Sequence, residues 1–198
     1  MNKHKPYIVV DVDVTLVESS LQQGGWLSYL NKISRYPILY PEDLYNKKGL
    51  IDYDLSTYFP DLTKDEAFSY WRSETLYDNL NPYKEAVEVI TELGQTKLIT
   101  FASFSKAKHY KSKFNFIKKH FGGKMPRENW AFVSTGEKGV LKADAIVDDR
   151  HVFINQMSPE VLKIKFKSDY TQDEELKCSL DLHTKDWYAI GKFLKETL

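Results

Sequence analysis

Short apolar runs punctuate the chain, and each stops at a polar residue. Tyr7-Ile8-Val9-Val10 is rich in β-formers, has no polar interruption and ends in Asp11. Leu98–Ala102 stops beside Ser103, and Ala145-Ile146-Val147 stops at Asp148. Two weaker runs, Trp130–Val133 and 161–166, complete the set. Runs of this length without alternation suit strands buried on both faces of a parallel sheet.

Helical periodicity fills the intervals. Asn81-Pro82 reads as an N-cap followed by a first-turn proline, with Val87, Ile90 and Leu93 inward and Gly94 as the stop. A second helix is expected over 106–121, with Tyr110, Phe114, Ile117 and Phe121 forming its stripe and Gly122-Gly123 ending it. A third closes the chain, with Thr184 as N-cap and Trp187, Ile190 and Leu194 inward. Strands alternating with helices predict an α/β fold, a three-layer open parallel sheet with right-handed crossovers.

Residues 18–80 depart from that pattern. They hold no strong buried strand and many aromatic residues, among them Trp26, Tyr29 and Trp71. Thr63 with Glu66 three positions on is a capping box for a helix over 64–73. The expectation is a small helical cap at 18–80, inserted after the first strand into a core made of 1–17 and 81–198. Such an insert overhangs the carboxyl ends of the strands, where open α/β sheets bind ligands. Its rings could stack a nucleobase, although most of them are expected to fill the insert's own core.

Composition narrows the function classes. The 28 basic residues balance the 28 acidic ones. A neutral chain lacks the cation excess that drives general nucleic-acid binding. From Phe104 to Arg127 eight Lys or Arg occur without an acid, which reads mainly as a solvated helix face. The single cysteine, Cys178, rules out an internal disulfide and points to a reducing compartment, hence a cytoplasmic location. No apolar stretch near the start approaches the length of a membrane span. The five histidines are scattered, which argues against zinc, and His109 and His120 read as surface residues.

The chemistry lies at the strand ends. One strand terminates in Asp11-Val12-Asp13-Val14-Thr15 and another in Asp148-Asp149-Arg150. If both are central and parallel, four carboxylates meet at one sheet edge. Like charges that close repel one another, so a cation is required. A hard divalent ion with oxygen ligands, Mg²⁺, answers that need. An Asp can attack phosphorus, and a second carboxylate two residues on can protonate the leaving group and later activate water. The phosphoryl charge needs a Lys and a hydroxyl. Lys138 supplies the first, and Ser103 or Thr100 the second.

Taken together, these parts resemble the haloacid-dehalogenase-like superfamily of phosphotransferases. Within it the chain is similar to the 5'(3')-deoxyribonucleotidase family. That likeness is carried by Tyr77-Asp-Asn-Leu80-Asn-Pro82, by Lys113-Phe-Asn-Phe116 running on to Phe121-Gly122, by Glu137-Lys138, and by Ala143-Asp144-Ala-Ile-Val-Asp148-Asp149-Arg150, with Asp186-Trp187 near the end. The resemblance implies Asp11 as nucleophile and Asp13 as general acid and base. It implies Mg²⁺ held by Asp11, the carbonyl of Asp13, and Asp148 or Asp149. It also implies a Rossmann-like core and a small nucleotide as substrate.

Two positions depart from the family pattern: Val14 stands where glycine is usual, and Phe101-Ala102-Ser103 replaces a Thr-Ser strand end. Strand length favours Ser103 over Thr100. The rival readings are the same chemistry on another phosphate ester or a nucleic-acid end, and a silent nucleotide-binding module. Nothing in the chain decides between monomer and homodimer.

Overall fold

The computed structural model describes residues 5–198. Among them, six strands form one parallel sheet: β1 Tyr7–Asp11, β2 Leu98–Ala102, β3 Trp130–Val133, β4 Ala145–Asp148, β5 Leu162–Phe166 and β6 Leu182–Thr184, in the order β3-β2-β1-β4-β5-β6. β1 is central. Its Val9 pairs with Thr100 on one side and Ile146 on the other. The chain first builds outward through β2 and β3, then crosses back to place β4 on the opposite side of β1. That reversal makes the carboxyl ends of β1 and β4 a topological switch point, where open sheets leave a crevice. The α/β class with an open parallel sheet therefore holds.

The period of two along each strand sorts side chains onto two unequal faces. Ile8, Val10, Ile99, Phe101 and Val147 join the large core. Helices α1 Trp26–Ile33, α2 Lys64–Phe68, α3 Lys84–Leu93, α4 Ala107–Ile117, α5 His151–Ile154 and α6 Trp187–Thr197 complete the chain. α3 and α6 meet closely, since a Cβ on Gly191 would lie 2.7 Å from Val89 Cγ1. The opposite face is thin, with Val9, Ala102 and Ile146 against Ala143, Met157 and Val161. Among the described residues, no helix is long and apolar enough to cross a membrane.

Local signals were read with uneven success. The capping box at Thr63 and Glu66 forms, but its helix is short: α2 stops at Phe68 and a 3₁₀ turn covers Tyr70–Arg72. α3 begins at Lys84, behind Tyr83 rather than Asn81. Asn81 instead exchanges hydrogen bonds with the Gln22 side chain, at 2.7 and 2.9 Å. Of the stripe expected along α4, Ile117 and Phe121 are buried and Phe114 packs against the core, but the inward face is broader and leaves out the first residue of the stripe. Tyr110 is exposed, whereas His109, Ser112, Lys113 and Phe116 are buried. His109 is thus no surface residue. α6 is capped by Asp186, which accepts from the Tyr188 and Ala189 amides, because Thr184 belongs to β6.

Candidate active site

Immediately after β1 the chain makes a tight turn. Val14 has φ 64°, the one positive value on a non-glycine residue among those described. Its amide donates to the Val17 carbonyl at 2.8 Å, and Leu16 and Val17 donate back to Val12. A β-branched residue in the left-handed region costs about 1–3 kcal/mol. The turn thus forms without glycine, held by these bonds and by burial of the Val14 side chain.

The turn places Asp11 and Asp13 in different company. Asp11 accepts from the ammonium of Lys138, which also donates to Asp148 Oδ2 at 2.6 Å. Lys138, Asp148 and Asp149 are all completely or almost completely buried. Asp149 accepts only longer bonds on its carboxylate, from Thr15 and Ser168 hydroxyls at 3.3 Å each. Its backbone carbonyl accepts from Lys165. Asp148 Oδ1 accepts from the Arg150 amide at 3.0 Å.

Asp13 points the other way. Its Oδ2 accepts from Ser103 at 2.8 Å and from Lys113 at 2.5 Å, and its Oδ1 accepts from the Tyr77 hydroxyl. Lys113 also donates to Ser103 Oγ at 2.7 Å. α4 carries Lys113 inward beside Phe116 and Ile117, and a buried ammonium needs the carboxylate partner that Asp13 supplies.

Electrostatics separates the two carboxylates. Burial pushes Asp11 up, Lys138 pulls it back, and Asp148 and Asp13 push it up again, to about 7. Burial also works on Asp13, but Lys113, Tyr77 and Ser103 outweigh it and hold the carboxyl below its ordinary value. Asp149 is driven well above the usual range by burial and then by the charges of Asp11 and Asp148. Burial alone would lower Lys138, yet Asp11 and Asp148 keep it raised. Burial and the neighbouring Asp13 lift the Tyr77 phenol well above its ordinary value, so it remains a donor.

Asp11, Asp148 and Asp149 each offer an oxygen within 4.8 Å of the others. Lys138 bonds two of these three buried carboxylates, and every donor atom is oxygen. The set fits a hard divalent cation. Both members of the Asp148-Asp149 pair reach this cluster, because β4 ends at Asp148 and strict alternation no longer holds beyond it.

A cavity of about 300 Å³ opens above Asp11 and Asp13, with Ser103 and Lys113 in its wall and Trp26, Phe68, Trp71 and Tyr53 above them. Lys138, Asp148 and Asp149 lie outside that wall. Lys106 and Lys113 stand in the cavity wall, and Lys138 meets it through its bond to Asp11. Of the two hydroxyls, Ser103 lines it. Thr100 sits within β2, paired with Val9 and Ala131, on the face shared with Ala102. Trp26 and Trp71 line the cavity, while Tyr29 hydrogen-bonds to Ser69 and packs on Tyr70.

Sequence reading alone left Tyr77, Tyr53 and Arg150 without roles. Arg150 lies 4.5 Å from the Tyr53 ring centroid and pairs with Asp173. The apolar pattern carried no signal for these contacts.

Comparison with known proteins identifies the family. The model of the 5' nucleotidase, deoxy (pyrimidine), cytosolic type C protein family matches residues 5–179. The mitochondrial 5'(3')-deoxyribonucleotidase of Mus musculus is 28% identical over 149 residues, covering 72% of this chain but only 64% of that protein. Its Homo sapiens counterpart is 25% identical over 194 residues, covering 92% and 81%. Among solved structures, a haloacid dehalogenase-like hydrolase from Streptococcus pneumoniae superposes with TM-score 0.61 at 14% identity, over 96% of this chain and 98% of that one. A predicted phosphatase from Clostridium acetobutylicum gives 0.61 at 14%, over 98% and 100%. The structural likeness concerns the fold, and the family match spans most of the chain: this protein belongs to the 5' nucleotidase, deoxy (pyrimidine), cytosolic type C family.

Proposed function

We propose that the protein is a Mg²⁺-dependent phosphatase acting on (deoxy)ribonucleoside monophosphates through an aspartyl-phosphate intermediate. The observation that carries this reading is the pairing of Asp11 and Asp13 beneath a cavity of about 300 Å³ walled by Trp26, Phe68 and Trp71. Family membership supports it.

In this reading an Asp11 oxygen attacks phosphorus while the bond from phosphorus to the ribose oxygen breaks. As the phosphoryl group draws Ser103 and Lys113 away, Asp13 loses partners that hold it ionised, takes up a proton and gives it to the departing oxygen. Water then attacks the aspartyl phosphate and gives its proton to Asp13, and the bond between phosphorus and Asp11 breaks to release phosphate. Ser103 and Lys113 receive the phosphoryl oxygens, exchanging Asp13 for the incoming anion. Asp11, Asp148 and Asp149, with the Asp13 carbonyl, would hold Mg²⁺, which supplies charge neutralisation when bound. Lys138 sits behind Asp11 and balances the buried carboxylates. Residues 18–80 form the cap that closes over the sugar and base and excludes water.

The test is phosphate release from a panel of nucleoside monophosphates with Mg²⁺ and with EDTA, for the parent and Asp11→Asn. The expected result is turnover by the parent only, and only with metal. Equal release by Asp11→Asn ends the mechanism. Faster turnover of a sugar phosphate than of any nucleotide ends the substrate assignment.

A further inference from the structure

Tyr77 is buried and contributes nothing to the cavity wall. Even so, its hydroxyl reaches a carboxylate that does line the cavity. It donates to Oδ1 of Asp13, while Oδ2 faces Ser103 and Lys113, both of them cavity residues. The tyrosine is fixed from several sides. Its amide donates to Ser112 Oγ at 2.9 Å, one residue before Lys113 on α4. Its ring packs at 5.0 Å on Phe116 and lies 5.5 Å from the Lys113 ammonium. One helix therefore holds both the tyrosine and the lysine that address Asp13.

The two oxygens of Asp13 are thereby made unequal. Ser103 and Lys113 can leave Oδ2 for a phosphoryl group that enters the cavity. Tyr77 has no cavity exposure and no substrate to turn to, so its bond to Oδ1 persists. We infer that Tyr77 is a positioning residue, whose hydroxyl pins Oδ1 of Asp13 and thereby keeps Oδ2 directed at the departing oxygen. This rests on the phosphatase reading above and adds a residue that acts only through Asp13. Holding a proton-transfer group in register is worth a large factor, since a displacement of about 1 Å can cost on the order of 100-fold.

The role predicts a dependence on the leaving group that a packing role does not. A nucleoside leaves as a strongly basic alkoxide and needs Asp13's proton. A nitrophenolate is weakly basic and leaves with little help. Tyr77→Phe keeps the ring and removes the hydroxyl. With Mg²⁺ present, kcat/KM for a nucleoside monophosphate is expected to fall about 10- to 100-fold, and for p-nitrophenyl phosphate no more than about threefold. Tyr77→Met, which fills the space differently, is expected to give the same contrast. Tyr188→Phe serves as control, because it deletes a hydroxyl bonded to Glu88, outside both the cap and the cavity wall, and should leave both rates unchanged.

Equal losses on the two esters overturn the positioning role, as does full activity on the nucleotide. Loss of fold in both Tyr77 variants overturns it too, since the hydroxyl would then serve stability. A parent protein inert on both esters overturns instead the phosphatase reading on which the inference stands.

Discussion

Lys138 donates to Asp11 across 127 residues of sequence, and both side chains are withdrawn from solvent. The ammonium reaches Asp148 from the same position. It is the nearest compensation for the negative charge that the switch point gathers. Lys138→Met keeps the length of the side chain and removes that compensation. Truncating one partner of a buried ion pair costs about 3–5 kcal/mol. Urea unfolding in EDTA should show a loss of that order, part of it recovered with Mg²⁺. Unchanged stability would mean the carboxylates are balanced by something else.

The raised Asp11 carboxyl makes the metal-free protein sensitive to pH in an uncommon direction. Asp11 binds its proton more tightly when folded, at about 7 against 3.8. Its contribution to stability is fully present below 3.8 and is lost as pH rises through 7. Asp149 is shifted the same way, and the lowered Asp13 stays ionised over the upper part of this range. In EDTA, the thermal midpoint should therefore be higher at pH 5.5 than at pH 8. Mg²⁺ should narrow the gap, because a bound cation favours the ionised carboxylates. A midpoint that rises with pH in EDTA would contradict the burial of this cluster.

Asp148 and Asp149 are neighbours with opposite expected phenotypes. Asp148 is bonded to Lys138 and to the Arg150 amide, whereas the Asp149 carboxylate receives only long hydroxyl contacts. Asp149→Asn removes a carboxyl whose ionised form is poorly compensated and should raise metal-free stability by about 1 kcal/mol. Asp148→Asn should lower it. Both should weaken Mg²⁺ binding at least about tenfold. Calorimetric titration and unfolding in EDTA separate the effects, and identical stabilities for the two variants would refute the assignment.

Two glycines test whether the Lys138 turn matters for activity. A Cβ on Gly139 would lie 2.5 Å from the Gln156 carbonyl oxygen, a backbone atom that cannot step aside. A Cβ on Gly191 would lie 2.7 Å from Val89 Cγ1, far along α6. Each alanine variant should cost about 1–3 kcal/mol by overpacking. Only Gly139→Ala should also lower turnover in the folded protein, by displacing Lys138 from Asp11. Equal turnover in both variants would remove Lys138 from the set of groups that position the nucleophile.

The sequence by itself determined the sheet and the acids on its edge. β1 and β4 are buried on both faces, and that condition writes an unbroken apolar run whose first polar residue marks the strand end. Asp11 and Asp148 were legible for this reason. β6 was not, because a short edge strand with the exposed His183 at its centre needs no such run. Tertiary structure alone decided which side chains answer those acids. The apolar stripe of α4 foretold the burial of Ile117 and Phe121, but nothing local showed that Lys113 on the same helix meets Asp13. Lys138 meets Asp11 across 127 residues and Tyr77 meets Asp13 across 64. Hydrophobic burial is additive along a chain and leaves a local pattern. Charge pairing in a buried site depends on where several distant segments meet, and no local pattern encodes it.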